Sequence, residues 1–528
     1  MIWNLGIMKV KKLSKGENMK KLLILAMCFL IVTTLIFSGC TTEEESGVET
    51  GEEAGEKMVI RVAEQVPNLI TPGAWDGQAF SLNSSIYDYL IEMDANTGEL
   101  VPALATEWDS PDGKVWTIKL REGVTFHDGT DFTAEDVKFT LERTQDPEIG
   151  HLKEQDFQVV ESIETPDDYT VVITLTEGFP TFHYLFTDYN MAILSSDYDY
   201  AMLGESAPMG TGAFKLEEMV PKESALLVKN ENYWDPGLPK ADELAIYFVP
   251  DIDSSISLLE AGQVDIVPQI SPIIANRFQG LDGFTIVSPY QESRFIALAA
   301  DREPFNDNNV RLAFKYAMDP EFLAQACQGV LDESIFYNET PIVNALAQYK
   351  EIPFRGQDIE RSKELLAEAG YPDGLKVELY YASDHPYGTD ISQALKELAA
   401  PAGFDLDLQG FPRDIYLSQY WMDAPMSITG WGVRVDPSML LMLAFRSGGP
   451  WNESHMSDPE VDDLIDKIRS EVDSSVRQGH YDQLQEVFVE RGTVINLQVP
   501  YLVATSTSVK DYRQPVTMLV QLKYATIE

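Results

Sequence analysis

The segment at residues 104–139 constrains the fold more than any other part of this 528-residue chain. Its Pro-Asp-Gly triplet at 111–113 is a turn signal, because proline presets φ and glycine reaches positive φ without a steric penalty. Residues 115–120 alternate between apolar and polar side chains, which indicates a half-buried strand. Residues 124–126 predict a second short strand, and the Thr-x-x-Asp pattern at 133–136 predicts the capped start of a helix. The order is strand, turn, strand, turn and helix.

This segment resembles the signature region of the extracellular solute-binding proteins of family 5 (cluster C), which serve ABC importers of peptides and nickel. The shared run is Leu-Ala, Trp, Asp-Gly-Lys, Leu-Arg-x-Gly-Val-x-Phe-His-Asp-Gly and Ala-Glu-Asp-Val, all present between Leu104 and Val137. Further matches follow in order within roughly residues 58–525, at 208–214, 230–234, 259–266, 310–319 and 358–374. The resemblance implies an α/β, two-lobe periplasmic-binding-protein (Venus-flytrap) type II fold with an additional small subdomain in lobe I.

A chain of this length exceeds what one hydrophobic core supports, so several domains are expected. The resemblance implies a crossing into a second lobe and a later return to the first. The expected divisions are 1–18, upstream of the true start; 19–39, a lipoprotein signal peptide; 40–57, a disordered acidic tether; 58–290, lobe I with its subdomain at about 100–207; 291–499, lobe II; and 500–528, the C-terminal return to lobe I.

A basic and then apolar leader precedes the globular part. Residues 19–21 are Met-Lys-Lys, and the apolar stretch that follows ends at Phe37, which is short for a membrane span but fits a signal peptide. Ser-Gly-Cys at its end resembles a lipobox, which implies that Cys40 is lipidated. The expected location is the cell surface or the periplasmic side of the cytoplasmic membrane, with Cys40 as the lipid anchor. An uncleaved anchor helix is the alternative.

Acidic side chains dominate the composition. The chain has 85 Asp and Glu against 39 Lys and Arg, a formal net charge of −46. Because nucleic-acid binding depends on clustered Lys and Arg, this charge excludes nucleic acid as a partner. Only Cys327 lies beyond the leader and Cys40, so no intrachain disulfide is expected in the mature protein. Residues 41–57 are rich in Glu and lack aromatic side chains, a composition that predicts disorder.

The segment at residues 430–437 is the main candidate for ligand contact. In dipeptide-binding relatives, an Asp shortly after the Trp of this segment pairs with the ligand's amino group, whereas this chain has Val433 or Arg434 at that position. Arginine binds carboxylates through paired hydrogen bonds. Arg434 is therefore expected to bind a ligand carboxylate, with Trp431 as a stacking wall and Asp436 as a further contact. An Arg434–Asp436 pair across the turn and core packing of Trp431 are the alternatives.

Four further residues complete the candidate site. His385 stands where the resemblance places an Arg that holds the ligand carboxylate in dipeptide binders, and Arg294 lies at the expected crossing between lobes. Trp75 and Gln78 lie in the loop before a helix predicted at 82–90, a loop that faces the cleft in solute-binding folds. An exposed loop position for His385 and loop packing for Trp75 and Gln78 are the alternatives. The histidines show no metal-ligand spacing, so no cofactor or resident metal is expected.

These features predict a substrate-binding lipoprotein that captures a small peptide or similar solute between two lobes. It would deliver the solute to an ABC permease and ATPase complex and act as a monomer. A nickel-chelate-binding protein of the same importer class and a ligand sensor for a signalling receptor are the alternatives. The sequence contains no Gly-x-Ser-x-Gly, His-Glu-x-x-His, Cys-x-x-Cys or P-loop motif, so a secreted hydrolase, or any other enzyme, is not expected.

Overall fold

The computed structural model describes residues 57–64, 80–200, 208–328 and 335–528. Its α-helices are α1 (Phe80–Ile86), α2 (Ala134–Gln145), α3 (Glu154–Phe157), α4 (Ile252–Glu260), α5 (Pro272–Phe278), α6 (Asn308–Tyr316), α7 (Pro320–Gln328), α8 (Ile359–Glu368), α9 (Gly388–Ala399), α10 (Arg413–Gln419), α11 (Pro437–Ala444), α12 (Pro459–Ser470) and α13 (Ser474–Arg491). Its strands are β1 (Val59–Glu64), β2 (Ile91–Met93), β3 (Leu100–Pro102), β4 (Ala105–Asp109), β5 (Val115–Leu120), β6 (Val160–Asp167), β7 (Thr170–Leu175), β8 (Phe214–Val220), β9 (Ser224–Lys229), β10 (Glu243–Phe248), β11 (Ile266–Val267), β12 (Phe284–Val287), β13 (Gln291–Leu298), β14 (Phe336–Asn338), β15 (Leu375–Ala382), β16 (Phe404–Phe411), β17 (Met426–Trp431), β18 (Val494–Pro500), β19 (Val503–Ser506), β20 (Val509–Lys510) and β21 (Thr526–Ile527).

Seven strands form the main sheet of lobe I, in the order β12-β19-β11-β1-β10-β9-β8. β1 is the central strand and runs parallel to β10, with Val59 opposite Glu243. Ile60 and Val62 of β1 belong to one apolar cluster and Ala63 to another. Both faces of β1 are therefore covered, which suits its four apolar residues, whereas Arg61 is only partly buried and pairs with Asp265.

A second sheet of six strands forms lobe II, in the order β14-β18-β13-β17-β15-β16. β18 is buried along its whole length, including the polar side chains of Asn496 and Gln498. β13 pairs antiparallel with β17, so that Arg294 lies opposite Gly430 and Ser293 opposite Trp431. This register places two of the candidate ligand residues, Arg294 and Trp431, at the same end of the sheet.

A four-stranded sheet, β4-β5-β7-β6, forms the core of the small subdomain together with α2. Trp116, Ile118 and Leu120 of β5 are buried, and this confirms the alternation seen in the sequence. The start of α2 is also as predicted, because the Asp136 carboxylate accepts a hydrogen bond from the Thr133 backbone N–H at 2.8 Å.

The second strand predicted in this segment, at residues 124–126, is not formed. The chain makes only an isolated bridge between Thr125 and Asp131. Val124 and Phe126 are nevertheless buried in the subdomain core. Their apolar spacing reflects packing under a tight turn and not pairing within a sheet.

The helix predicted at 82–90 ends four residues earlier, at Ile86. The Ile86 carbonyl accepts a hydrogen bond from the Gly212 backbone N–H at 2.9 Å, so a neighbouring segment takes over the end of the helix. Asp88 then turns inward and accepts hydrogen bonds from Thr211 Oγ1 at 3.0 Å and Trp234 Nε1 at 2.8 Å. Tertiary contacts, and not the local pattern, set this boundary.

Two chain crossings join the lobes. The first runs from β12 of the lobe I sheet to β13 of the lobe II sheet, and the second runs from β18 back to β19. At the crossings the Tyr501 N–H donates to the Tyr290 carbonyl at 2.9 Å, and the two rings stack with centroids 4.8 Å apart. The connections are therefore short and adjacent, as a hinge between lobes requires.

Candidate functional site

A cavity of about 290 Å³ lies between the two lobes. Lobe I contributes six side chains, namely Phe80, Leu152, Tyr189, Gln269, Tyr501 and Met518. The lobe II side chains that matter for chemistry are Trp421, Trp431, Trp451, Glu292, His385, Arg413 and Arg434. A concave space with a mainly apolar lining and a few converging polar groups is typical of a small-molecule site.

Three indoles form one wall of the cavity. The ring centroids of Trp421, Trp431 and Trp451 lie 5.8 to 6.1 Å from one another. The buried Glu453 carboxylate accepts hydrogen bonds from Trp431 Nε1 at 2.8 Å and from Trp421 Nε1 at 2.5 Å. Burial raises the pKa of Glu453, and hydrogen bonds from its neighbours act against this increase. Glu453 thereby fixes the orientation of two of the three rings.

Arg434 reaches from lobe II to lobe I. Its guanidinium Nε lies 3.7 Å from Asp188 Oδ2 and its Cζ lies 5.9 Å from the Tyr189 ring centroid. Asp188 is held more closely by Lys153, whose Nζ is 2.8 Å from the same oxygen. Burial raises the pKa of Asp188, but Lys153 and Arg434 outweigh it and lower that pKa to about 2. The three side chains therefore form a charged group that carries one excess positive charge.

Arg294 does not line this cavity but lines a smaller one of about 50 Å³, which shares His385 and Arg413 with it. It is 1% exposed, and its guanidinium pairs with the carboxylate of Glu292, which does line the cavity. A Cβ on Gly430 would approach Arg294 Nη1 to 2.6 Å, so this glycine lets the strand pass directly over the guanidinium. Arg294 is placed to neutralise Glu292.

His385 lines the cavity and connects the lobes, because its Nε2 lies 3.3 Å from Gln269 Nε2. Burial lowers the pKa of His385 well below its usual value, and Arg294 and Arg413 lower it further. The imidazole is therefore neutral near pH 7. In the described part of the chain, no group of three or more His, Cys, Asp or Glu side chains is placed to hold a metal ion.

Asp436 does not line the cavity. Its side chain accepts a hydrogen bond from the Ser438 backbone N–H at 2.9 Å, which caps α11, and another from Tyr481 Oη at 3.0 Å. The Asp-Pro start of this helix explains the role, because Asp is a favoured N-cap and proline fits the first helical position. The expectation of ligand contact by Asp436 is thus replaced by a capping role, and Arg434 pairs with Asp188 instead.

The other residues expected at the site have two outcomes. Trp431, Arg434 and His385 line the cavity. Trp75, Gln78 and Cys40 lie outside the described residues. The sequence analysis missed Arg413 and the residues Trp421, Trp451, Glu292 and Tyr189. The sequence offered a signal only for Trp451, which begins the Trp-Asn-Glu-Ser run at residues 451–454.

Comparison with known proteins agrees with this architecture. Residues 99–453 match the family described as bacterial extracellular solute-binding proteins, family 5 Middle. The glutathione-binding protein GsiB of Escherichia coli strain K12 is 26% identical over 477 residues, which cover 85% of this chain and 90% of GsiB.

Two solved structures illustrate the similarity of fold. The ABC transporter-associated periplasmic binding protein DppA of Helicobacter pylori, in complex with the peptide STSA, gives a TM-score of 0.78 at 24% identity, covering 89% of this chain and 99% of DppA. NikZ of Campylobacter jejuni, in complex with Ni(L-His), gives a TM-score of 0.76 at 23% identity, covering 89% of this chain and 98% of NikZ. The similarity confirms the predicted two-lobe, type II fold. Because the family match extends over most of the chain, this protein belongs to the bacterial extracellular solute-binding proteins of family 5.

Proposed function

We propose that this protein is the substrate-binding component of an ABC importer and captures a small peptide or similar solute between its lobes. The observation that carries the proposal is the inter-lobe cavity, to which both lobes contribute aromatic and polar side chains. GsiB is named for glutathione and DppA was solved with a peptide, and both support a peptide-like ligand. Binding energy from contacts with both lobes would stabilise the closed arrangement, which a membrane permease then recognises.

Within the cavity, Trp431 would stack on apolar or planar parts of the ligand and Arg434 would bind a ligand carboxylate. His385 is neutral near pH 7 and its Nδ1 donates to the Pro386 carbonyl at 3.2 Å, so its Nε2 would accept a hydrogen bond. Arg294 would act from below by pairing with Glu292. Contact by Trp75 and Gln78 rests on the sequence expectation alone, since neither is among the described residues.

A nickel chelate is the second candidate ligand. It is favoured by the neutral imidazole of His385 at the cavity wall, because neutral imidazole is a common nickel ligand. NikZ was solved with Ni(L-His), in which the metal arrives with an organic ligand of its own. Such a complex needs only one or two protein ligands, and this is compatible with the sparse donor set of the cavity.

The remaining parts of the proposal concern the protein's setting. Lipidation at Cys40 would tether the protein to the membrane. Among the described residues, no helix is long and apolar enough to cross a bilayer. The protein would act as a monomer and would bind its solute without chemical change. Its partner would be a permease with its ATPase, and not a signalling sensor. The intact mass of the membrane-extracted protein tests the anchor, since a species that retains residues 20–39 would contradict cleavage before Cys40.

Native mass spectrometry, followed by calorimetric titration, tests the ligand proposal. A retained solute that is lost on unfolding, or binding of a short peptide, is the expected result. Trp431→Leu should weaken that binding at least tenfold, whereas Trp108→Leu, a matched change in β4 away from the cavity, should not. Tight binding of Ni(L-His) with no response to peptides would favour the second candidate. A protein that binds neither class would refute the proposal.

A further inference from the structure

The inter-lobe cavity and the protein surface carry opposite charge. The whole chain has a formal net charge of −46. The ionisable side chains that line the cavity in the described structure are nevertheless mainly basic or neutral, namely Arg413, Arg434, His385, Glu292, Tyr189 and Tyr501. Basic residues are less than half as frequent as acidic ones in this chain, so their presence at the cavity is informative about its ligand.

Glu292, the one carboxylate that lines the cavity within the described part of the chain, is neutralised by a buried partner. Arg294 pairs with it and is 1% exposed. Arg294 is held in place by carbonyls as well, because it donates to Ser293 O at 3.3 Å and Pro386 O at 3.4 Å. A ligand ammonium at Glu292 would also meet the nearby guanidinium charge. Glu292 is therefore a weak site for a cation.

Arg434, unlike Arg294, is not closely paired with the carboxylate beside it. Its neighbour Asp188 is held by Lys153 at 2.8 Å and by the Asn190 backbone N–H at 3.0 Å, whereas the Arg434 Nε stands 3.7 Å away. Arg434 lines the cavity and is 9% exposed. Its Nη1 donates to the Gly432 carbonyl at 3.2 Å, and its Nε, which is buried, has no hydrogen-bond acceptor among the described residues. A guanidinium at the cavity wall whose donors are only partly used is well suited to bind a carboxylate.

A second buried carboxylate near Arg434 does not reverse this balance. Asp156 is buried, and its neighbours include Lys153, Arg469 and Arg434. Arg469 inserts towards the subdomain with its Cζ 4.5 Å from the Phe179 ring centroid. The buried group of Lys153, Asp156, Asp188, Arg434 and Arg469 therefore has three cations and two carboxylates.

We infer that the solute is an anion, with a carboxylate bound at Arg434 and no ammonium group that the cavity must hold. The inference rests on the proposed function and narrows its ligand class. It separates this protein from a receptor for free dipeptides, which must bind both an ammonium and a carboxylate. N-blocked peptides, peptides with acidic side chains and organic acids all meet the requirement.

The test uses one set of tripeptides in three matched forms: N-acetylated with a free carboxylate, unmodified, and C-terminally amidated with a free ammonium. A parallel panel compares organic acids with amines of the same size. Affinities are measured by calorimetry on the purified protein. The acetylated peptides and the acids are expected to bind at least tenfold more tightly than the amides and amines.

Arginine variants connect the preference to the site. Arg434→Gln should reduce affinity for the acetylated form at least tenfold and leave the amidated form unchanged or improved. Arg413→Gln, on a half-buried residue of α10, gives an independent variant if the first does not fold. Arg446→Gln is the matched control, because Arg446 is an outer residue paired with Asp466 at 3.0 Å, and it should change no affinity.

The outcomes distinguish the anion inference from the proposed function. Amides or amines that bind as tightly as their anionic counterparts, or unmodified peptides that bind at least tenfold more tightly than their acetylated forms, would overturn the anion inference and leave solute capture intact. Anion binding that is unchanged in both Arg434→Gln and Arg413→Gln would also overturn the anion inference. If no compound of either panel binds, the anion inference fails; if Ni(L-His) does not bind either, the proposed function fails with it.

Discussion

Glu453 is a single buried carboxylate that holds much of the aromatic wall in place. It is 3% exposed and accepts hydrogen bonds from two indole N–H groups. In Glu453→Gln the new amide NH₂ would face a donor, so at least one indole would lose its acceptor. An unsatisfied buried donor costs about 1–3 kcal/mol. We expect the free energy of unfolding to fall by about that amount, measured by urea titration with tryptophan fluorescence.

The same substitution at Glu397 provides the control. Glu397 lies exposed on α9, where loss of its charge should change stability by about 0.5 kcal/mol or less. Glu453→Gln should also allow the Trp421 and Trp431 rings to adopt more orientations, and this should weaken ligand binding. Glu397→Gln should have neither effect. Equal stability of the two variants would show that Glu453 does not hold the indoles.

The sequence could reveal a site residue only where its side-chain type and its neighbours in the sequence both suit ligand binding. Trp431 and Arg434 are recognisable because the family resemblance marks their segment as a ligand-contact region, and an indole and a guanidinium suit a planar or anionic ligand. Asp436 looks equally suitable, yet its position before a proline makes it a helix cap. Asp188 and Glu292 could not be inferred, because their partners Lys153 and Arg294 become visible only after folding.

At the scale of elements, the Gly-Thr-Gly segment at 210–212 makes a close backbone contact with α1. A Cβ on Gly212 would lie 2.5 Å from the Ile86 carbonyl oxygen and from the Ser85 carbonyl oxygen. Both obstacles are backbone atoms, so relief requires movement of the end of α1. Forced insertion of a methyl group into a packed site costs about 1–3 kcal/mol. Gly212→Ala should lower the free energy of unfolding by at least this amount, as measured by chemical denaturation.

Gly479 offers a matched control in an open position. It lies exposed inside α13, and a Cβ there would meet nothing within 4 Å. Because glycine is a poorer helix former than alanine by about 0.5–1 kcal/mol, Gly479→Ala should stabilise the protein. The two Gly→Ala changes are thus expected to have opposite signs. A Gly212→Ala variant as stable as the wild type would contradict the close approach.

Elements with strong local patterns were predictable, and those ended by tertiary contacts were not. The alternation in β5 and the capping pattern before α2 act within a few residues, so they are visible in the sequence. The end of α1 depends on Gly212, which lies more than a hundred positions away. The apolar pair at Val124 and Phe126 packs under a turn, and its spacing alone cannot be told from that of a short strand.

For the whole molecule, the sequence predicts the two-lobe fold through its family resemblance and not through periodicity. Repeated matches in order across the chain identify the topology, including the two crossings that no local pattern encodes. The cavity between the lobes depends on how the crossings bring distant segments together. Gln269 and His385, for example, meet across the cavity although 116 positions separate them. That pairing lies beyond what the sequence alone can supply.

The excess of acidic side chains makes a prediction about the stability of the whole molecule. With 85 acidic and 39 basic residues, repulsion between like charges opposes the compact state. Added salt shortens the Debye length from about 10 Å at 0.1 M to about 3 Å at 1 M and screens this repulsion. It also weakens surface ion pairs such as Lys467–Asp463, but exposed pairs contribute only about 0–1 kcal/mol each.

Screening of the large net charge should therefore dominate. We expect the midpoint of thermal unfolding to rise by several degrees as NaCl is raised from low concentration to about 1 M, with most of the gain below about 0.3 M, where the Debye length changes most. An uncharged osmolyte at matched osmolality separates charge screening from preferential exclusion, because it cannot screen charge. A midpoint that is flat or falls with NaCl would mean that local ion pairs, and not net repulsion, control the stability of this acidic protein.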